Sequence, residues 1–584
     1  MNQHPKQFTT QRAKPAKPQP DSRGLNFYES DASLLGLQKL YMAEPERTHM
    51  APHFRRLGSL VGAELDDLAS AADKSPPVLH ARNRQGEDVQ SIEKSPAYKR
   101  MEEIAFGEFA IAALSHRPAF GWSKPLSAAT KYTLTYLFAQ SEFGLLCPVS
   151  MTDSLTRTIR KYADETLLAR YLPGLLGEDL DTLLQGAMFM TERFAGSDVG
   201  ATETRAVKAG DPKSAAHWQL TGQKWFCSNV DAGLALVLAR PEGSGAGSKG
   251  LGLFLMPRQL PDGQPNNYRI VRLKDKLGTR SMASGEIDLN GAVAYLVGDP
   301  GAGFKQIAEM VNQSRLSNAV RSAGMMRRSV HEALTVALER VAFGQRLIEL
   351  ALVRRQLIKM ILPTEQAASL CFFTAQCLDR ADAGDAHAQK LRRILTPLVK
   401  LRACRDARKV AGDGMELRGG TGYIEEWIEP RLVRDTHLGS IWEGTTNIIA
   451  LDVIRAAAKE QAHGTLAGVL KEMLAAAPAD LAKPLMERLD ATMRLVQHVA
   501  DANGAADALA RGAATGLYNV ASAVLFSDEA KRLNDPRRLD LASLTLRHKL
   551  QPRDPLAPDA PDDSAAADRV IDALIKARTF TQTQ

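Results

Sequence analysis

The chain has 584 residues, 44% of them hydrophobic and 24% charged, with a formal net charge of +7. This composition belongs to folded globular proteins and excludes collagen-like, wholly disordered and disulfide-scaffold classes; the length allows about three or four domains. No run of 18 apolar residues occurs, so no membrane partner is expected.

The charge is unevenly placed. Residues 1–23 hold five basic residues and one acidic residue, whereas residues 456–584 hold 16 basic and 17 acidic ones. More than half of the surplus therefore falls in a Pro-rich N-terminal stretch that lacks the apolar segment of a secretory signal and reads as a disordered arm, residues 1–24. The cysteines (Cys147, Cys227, Cys371, Cys377 and Cys404) are dispersed and form no C-x-x-C pair. No metal site is expected, and the pattern suits a reducing, cytoplasmic compartment.

Residues 25–182 read as a helical domain, with Gly107 the one breaker across Ala97–His116 and Ala128–Phe138. From 183 to 302 short apolar runs alternate with Gly, Pro, Asn and Asp. The segments 218–226, 234–240, 251–257, 268–274 and 286–291 are predicted strands of a β-domain. Helical spacing returns at Phe304, Ile307 and Val311 and continues through Leu334, Leu338 and Val341; residues 304–343 contain no proline and only Gly324. This predicts long helices over 303–455, broken at Gly419–Gly422. Residues 456–584 form an Ala/Leu-rich helical addition with a linker at 554–563.

Three motifs carry chemistry. MTERFAGSDVG (190–200) mixes Thr, Ser and Gly in one loop whose N–H groups and hydroxyls suit an anionic or heteroaromatic ligand. WFCSN (225–229) ends a strand with two aromatics beside Ser228. GSIWEGTTNI (439–448) places Glu443 in an apolar turn, where desolvation would raise its carboxyl toward neutrality and make it a candidate general base. The glycines Gly245, Gly247 and Gly250 spell G-x-G-x-x-G, but a strand is predicted on each side, so they read as a hairpin loop rather than a dinucleotide site. His49 and His53 lack the glutamate of a zinc-protease motif and are interrupted by Pro52.

Taken together, MTERFAGSDVG, GQKWFCSN, ERVAFGQRL, ELRGGTGYIEEWIEPRLVRD and SIWEGTTNI resemble the acyl-CoA dehydrogenase family in order and spacing over about 180–455. NFYESDASL (26–34), LCPVSMTDS (146–154), RLKDKLGTRSMAS (272–284) and AGMMRRS (323–329) resemble its AidB-like, adaptive-response branch. The resemblance implies a mainly α fold with a central β-domain: an N-terminal helical domain, a β-barrel-like middle domain, a C-terminal four-helix bundle and an extra helical domain. It further implies FAD as cofactor and a homotetramer.

By the same resemblance, Met190, Thr191, Gly196 and Ser197 form the loop over the flavin, Phe226 takes the stacking position, and Ser228 takes that of the hydroxyl near flavin N5. Arg340 and Phe343 match residues that reach a neighbouring subunit's cofactor, as do Glu416, Gly419 and Gly420. Thr445 and Asn447 match cofactor contacts after the base, and Glu443 matches the base itself. The alternative base position of some members is Ser314 here. The implied reaction is α,β-dehydrogenation of an acyl-CoA: Glu443 removes the α-proton and hydride passes to flavin, with an electron-transfer acceptor completing turnover. Trp442, where smaller residues are common, and Ala351, where many members carry Gln, put fatty acyl-CoA turnover in question. The AidB-like branch offers an alternative, a duplex-DNA-binding flavoprotein of the alkylation response with weak dehydrogenase activity. The near-neutral 456–584 region argues against it, although basic clusters occur at Lys531–Arg532, Arg537–Arg538 and Arg547–Lys549.

Overall fold

The computed structural model describes residues 19–209, 217–552, 556 and 561–580. The N-terminal region comprises α1 (Ala32–Tyr41), α2 (Glu44–Val61), α3 (Glu64–Lys74), β1 (Val78–Arg82), β2 (Asp88–Glu93), α4 (Pro96–Glu102), α5 (Ala128–Phe138), α6 (Leu146–Tyr162) and α7 (Glu165–Leu175). Four of these helices begin where a short polar side chain caps the first turn: Asp31, Ser95, Ser127 and Asp164 accept from the N–H groups of Leu34, Tyr98, Thr130 and Leu167.

This mostly helical region has two interruptions that its sequence did not single out. VLHAR and DVQSIE form an antiparallel ribbon, β1 against β2, instead of helix; their alternating exposure is a two-residue period, which overrides helical composition. The stretch Ala97–His116 is not one helix. After α4 it passes through a π-helical turn at Glu103–Glu108 and leaves helical geometry at Ala110, whose φ is +44°.

The middle region contains β3 (Gly186–Phe189), β4 (Arg205–Lys208), β5 (Trp218–Ser228), β6 (Leu234–Pro241), β7 (Gly252–Pro257), β8 (Tyr268–Leu273) and β9 (Ser284–Leu296). The pairings β6–β4–β5–β9–β7 return from β7 to β6 and close a barrel; β3 flanks it on β6 and β8 on β9. The apolar continuity of β6 and β7 follows from burial on both faces. Ala235, Val237, Phe254 and Met256 fill the barrel, while Leu234, Leu236, Leu253 and Leu255 pack on the helices. The Gly245–Gly250 loop joins antiparallel β6 and β7, as its flanking strands predict.

The helical remainder runs α8 (Gly303–Glu339), a short hairpin of β10 (Val341–Ala342) and β11 (Gln345–Arg346), α9 (Ala351–Asp382), α10 (Ala386–Arg418), α11 (Ile428–Gly439), α12 (Thr446–Glu460), α13 (Ala462–Leu474), α14 (Ala479–Asp501), α15 (Ala510–Leu533), α16 (Pro536–Thr545) and α17 (Pro561–Phe580). The expected linker lies largely outside the described residues. Gly324 is where α8 crosses α5: a Cβ there would come within 2.5 Å of the Tyr136 carbonyl oxygen. One apolar core runs from Leu25 to Leu574, so the C-terminal helices pack into the bundle rather than beside it.

Residues 19–24, expected to belong to the disordered arm, are instead docked on the bundle. The Ser22 N–H donates to Glu332 (3.2 Å), and Arg418 donates to the Pro20 carbonyl (2.7 Å). The buried carboxylate and guanidinium hold this polar strand where apolar contacts would not. The rest of the arm, residues 1–18, lies outside the described residues.

Candidate functional site

Glu443 sits in the turn between α11 and α12. Its φ is +58° and that of Gly444 is +104°, a left-handed pair that costs a non-glycine residue about 1–2 kcal/mol. Two cations hold the turn by its carbonyls. Arg315 of α8 donates Nε to Glu443 O (3.0 Å) and is itself paired with Asp452 (2.7 Å); Lys400 of α10 donates to Gly444 O. Lys400 is buried, which brings its ammonium down to about 8.

The Glu443 carboxyl is enclosed. Its Oε2 is sealed from solvent beside the Ser314 hydroxyl, and burial pushes the carboxyl up against the opposing pull of Ser314, Arg315, Lys400 and Arg321. The backbone N–H of Glu443 has no acceptor among the described residues. Beside it, Trp442 stacks on Phe143 of the segment between α5 and α6 (centroids 5.5 Å, 25°).

The opposite wall belongs to the β-domain. Trp225 N–H donates to Thr191 O (2.8 Å), tying the 190–197 loop to the end of β5. A buried Lys224–Glu192 pair (2.6 Å) anchors the same loop. This brings Met190 and Thr191 to the strand end that carries Phe226 and Ser228. Phe226 is 57% exposed, and a Cβ on Gly196 would meet nothing within 4 Å, so the edge is open; Ser197 is exposed on it. Cys147 of α6 links the two walls. Burial raises its thiol to about 11, and the groups acting on it include Arg321, Glu443, Lys276 and the Ser228 hydroxyl.

Thr445 and Asn447 open α12 directly after the Glu443–Gly444 turn, with exposed side chains. A second group forms elsewhere. Arg340, closing α8, donates to the Arg418 carbonyl (2.7 Å) against Gly419. Phe343, 93% exposed, tips the β10–β11 hairpin, and Glu416 and Gly420 are exposed nearby on the same chain turn. Arg340 is 25 residues beyond Arg315 on one helix, about 37 Å. Within one chain these residues therefore do not join the Glu443 pocket.

Sequence reasoning missed Arg321, Phe143, Cys147, Arg315 and Lys400. The only available signal was an arginine recurring at helical spacing within the apolar face of α8. The basic clusters of the C-terminal region also change meaning. Arg538 is buried against Glu529 (3.0 Å), Arg537 pairs with Asp535 (3.0 Å) and Arg547 pairs with Asp563. Two clefts, of about 280 and 480 Å³, lie around Pro478 and Leu539 and contain none of the site residues.

The loop carrying RLKDKLGTRSMAS is locked to α11 by Asp435, which accepts from Thr279 N–H (2.6 Å). Burial, with Glu142 and Asp73 nearby, raises the Asp435 carboxyl to about 7. The folded protein thus holds a proton that the unfolded chain releases, so this residue costs stability as pH rises from about 4 to about 7. Asp435→Asn removes the titration. Its melting temperature relative to wild type should rise between pH 5 and pH 8; a gap that stays constant with pH would exclude a raised Asp435.

The acyl-CoA dehydrogenase C-terminal domain model matches residues 301–458, its middle-domain model residues 187–292, and the adaptive response protein AidB N-terminal domain model residues 18–182. A putative acyl-CoA dehydrogenase AidB of Escherichia coli is 35% identical over 453 residues, covering 74% of this chain and 78% of that protein. The chain belongs to the acyl-CoA dehydrogenase family. Acyl-CoA dehydrogenase family member 11 of Caenorhabditis elegans is 33% identical, covering 74% of this chain and 70% of that one. The solved structure of Caenorhabditis elegans ACDH-11 in complex with C11-CoA superimposes with a TM-score of 0.84 at 27% identity, covering 94% and 95% of the two chains. As a member of this family the protein is an oxidoreductase of the flavin-dependent acyl-CoA dehydrogenase type. Among the described residues no helix is long and apolar enough to cross a membrane.

Proposed function

We propose that the protein dehydrogenates an acyl-CoA thioester between its α and β carbons, with Glu443 as base. The observation that carries this reading is the enclosed Glu443 carboxyl, its Oε2 sealed from solvent, facing a β-domain edge across Cys147. The family's cofactor, FAD, fits that edge: Phe226 and the open backbone at Gly196 offer a face for a flat ring, and Thr191, Ser197 and Ser228 offer hydroxyls. When bound, FAD supplies the hydride acceptor. The chain's own contribution is to place the base and to polarise the thioester. Burial strengthens Glu443 as a proton acceptor, and its free N–H is suited to the thioester oxygen, where charge develops as the α-proton leaves. The pinned turn fixes the direction of attack.

Arg340, Phe343, Glu416, Gly419 and Gly420 fit a cofactor held by a second copy. Phe343, Leu352 (80% exposed), Tyr423 (78% exposed) and Ile424 flank them as apolar surface for such a copy to cover. This supports the homotetramer. Turnover requires a separate electron-transfer acceptor. A duplex-DNA role keeps one source of support, the crowding of Arg402, Arg405 and Arg408 on α10 with Arg511; burial first, and then repulsion from Arg511, Arg402 and Arg408, lowers the Arg405 guanidinium.

Anaerobic titration of the flavin-loaded protein with saturated acyl-CoA esters of increasing length tests the main reading. At least one ester should bleach the flavin absorbance stoichiometrically. No bleaching at any length, with flavin fully bound, would overturn it.

A further inference from the structure

Four arginines stand among the largest fully buried side chains: Arg321, Arg327, Arg418 and Arg538. Three are answered by carboxylates. Arg327 lies on Asp31 (3.1 Å) and Glu365 (2.6 Å), Arg418 on Glu332 (2.7 Å) and Glu429, and Arg538 on Glu529 (3.0 Å). Arg321, 1% exposed, pairs with no carboxylate among the described residues. Its Nε makes a long contact with the Ser317 carbonyl of its own helix (3.4 Å), and Nη1 has no partner. A desolvated guanidinium is costly unless paired; Glu443 and Glu142 act on this one from a distance, but no carboxylate among the described residues hydrogen-bonds it.

Its surroundings identify the ligand class. The guanidinium carbon lies 4.9 Å from the Phe143 ring centroid and 5.0 Å from that of Trp442, the residue before the base. Ser314, Asn318 and Arg321, spaced by four and three residues, share one face of α8. Asn318 Oδ1 and Trp442 Nε1 are buried without partners, and Glu443 Oε2 is sealed beside the Ser314 hydroxyl. The space beside the base is thus walled by aromatics and holds a cation that no carboxylate hydrogen-bonds among the described residues. A plain alkyl chain entering there would leave the cation unpaired; a carboxylate would take two parallel charge-assisted hydrogen bonds from it.

We propose that Arg321 is a specificity-determining residue that receives the distal carboxylate of a short dicarboxylic acyl-CoA thioester. The chain is short because Trp442 places the guanidinium next to the residue that must meet the α-carbon. This inference rests on the acyl-CoA reading of the Glu443 pocket.

The test separates the two. Calorimetric Kd values for glutaryl-CoA and valeryl-CoA, equal in carbon count, are measured on flavin-loaded protein in a Glu443→Gln background, which holds ester without turnover. Glutaryl-CoA should bind about 10- to 100-fold more tightly. Adding Arg321→Met should abolish that preference, weakening glutaryl-CoA while leaving valeryl-CoA unchanged or tighter. Arg321→Lys, which keeps the charge but loses the fork, should fall between. Equal affinities in the parent, equal losses for both esters in the variant, or no binding of either ester would overturn the proposal. If Arg321→Met fails to retain flavin, Arg321→Lys decides: selective weakening of glutaryl-CoA supports the proposal, and uniform weakening ends it. Failure of every ester to bleach the wild-type flavin would count against the dehydrogenase reading alone, because the Kd ratio is read without turnover.

Discussion

Replacing Glu443 by Gln should lower the rate of flavin bleaching by an active acyl-CoA by about 10²–10⁴-fold, the usual worth of a placed general base, while flavin stays bound. Gln preserves the shape of the side chain and leaves the carbonyl contacts from Arg315 and Lys400 to the turn in place, since both are made to backbone. Glu443→Asp should fall between, because shortening the side chain retracts the carboxylate from a fixed turn. The wild-type rate should rise with pH through a value above the ordinary glutamate range, since burial favours the protonated form and only the anion accepts the α-proton. Stopped-flow bleaching across pH checks both expectations. A Glu443→Gln rate within about tenfold of wild type would move the base elsewhere.

The second large effect is structural. Asp31 of the segment before α1, Arg327 of α8, Glu365 of α9, Arg538 of α16 and Glu529 of α15 form one buried chain of charges, closed by the Tyr41 hydroxyl on Glu529 (3.1 Å). It fastens the N-terminal region, the bundle and the C-terminal helices at a single place. Arg327→Met leaves Asp31 and Glu365 facing each other without their shared cation, which should cost about 3–5 kcal/mol. Arg327→Lys should cost less. The sign with pH is fixed by Glu365, which Arg327 and Arg538 hold down at about 2. The stability it contributes is full above the unfolded carboxyl range and is lost as pH falls toward about 2. The deficit of Arg327→Met in urea midpoint should therefore be largest near neutrality and shrink on acidification. A deficit independent of pH would show that packing, not charge, was lost.

The motifs assigned to the cofactor and to Glu443 in the proposal are contiguous in sequence, so they were readable as motifs. MTERFAGSDVG, WFCSN and GSIWEGTTNI each form one loop or strand end, and local chain geometry keeps their residues together. The strand periods were equally readable, because β6 and β7 bury both faces and stay apolar throughout. The β1–β2 ribbon escaped because its exposed positions include the apolar Val78 and Val89, which blur the polar–apolar alternation in the sequence. Phe143, Cys147 and Arg321 escaped for a different reason: the first two lie just before and at the start of α6 and the third far along the chain in α8, and they meet only when α6 and α8 pack against the turn at Trp442.

What the sequence determined by itself is therefore the family and the helical, β and helical order; it also singled out Glu443 as the base proposed above. What only the tertiary structure decided is where the charges go. The charge map argued against a broad cationic surface and left only a local patch open at the basic clusters, where Arg538 and Arg537 are buried in ion pairs; Arg418, outside those clusters, binds residues 19–24 to the bundle. The worth of a charge depends on its distance to partners and on the water around it, and both are set by contacts between segments hundreds of residues apart. Arg321 is the sharpest case. In sequence it is one basic residue among 74; in the fold it is a buried cation near Glu443 that pairs with no carboxylate among the described residues.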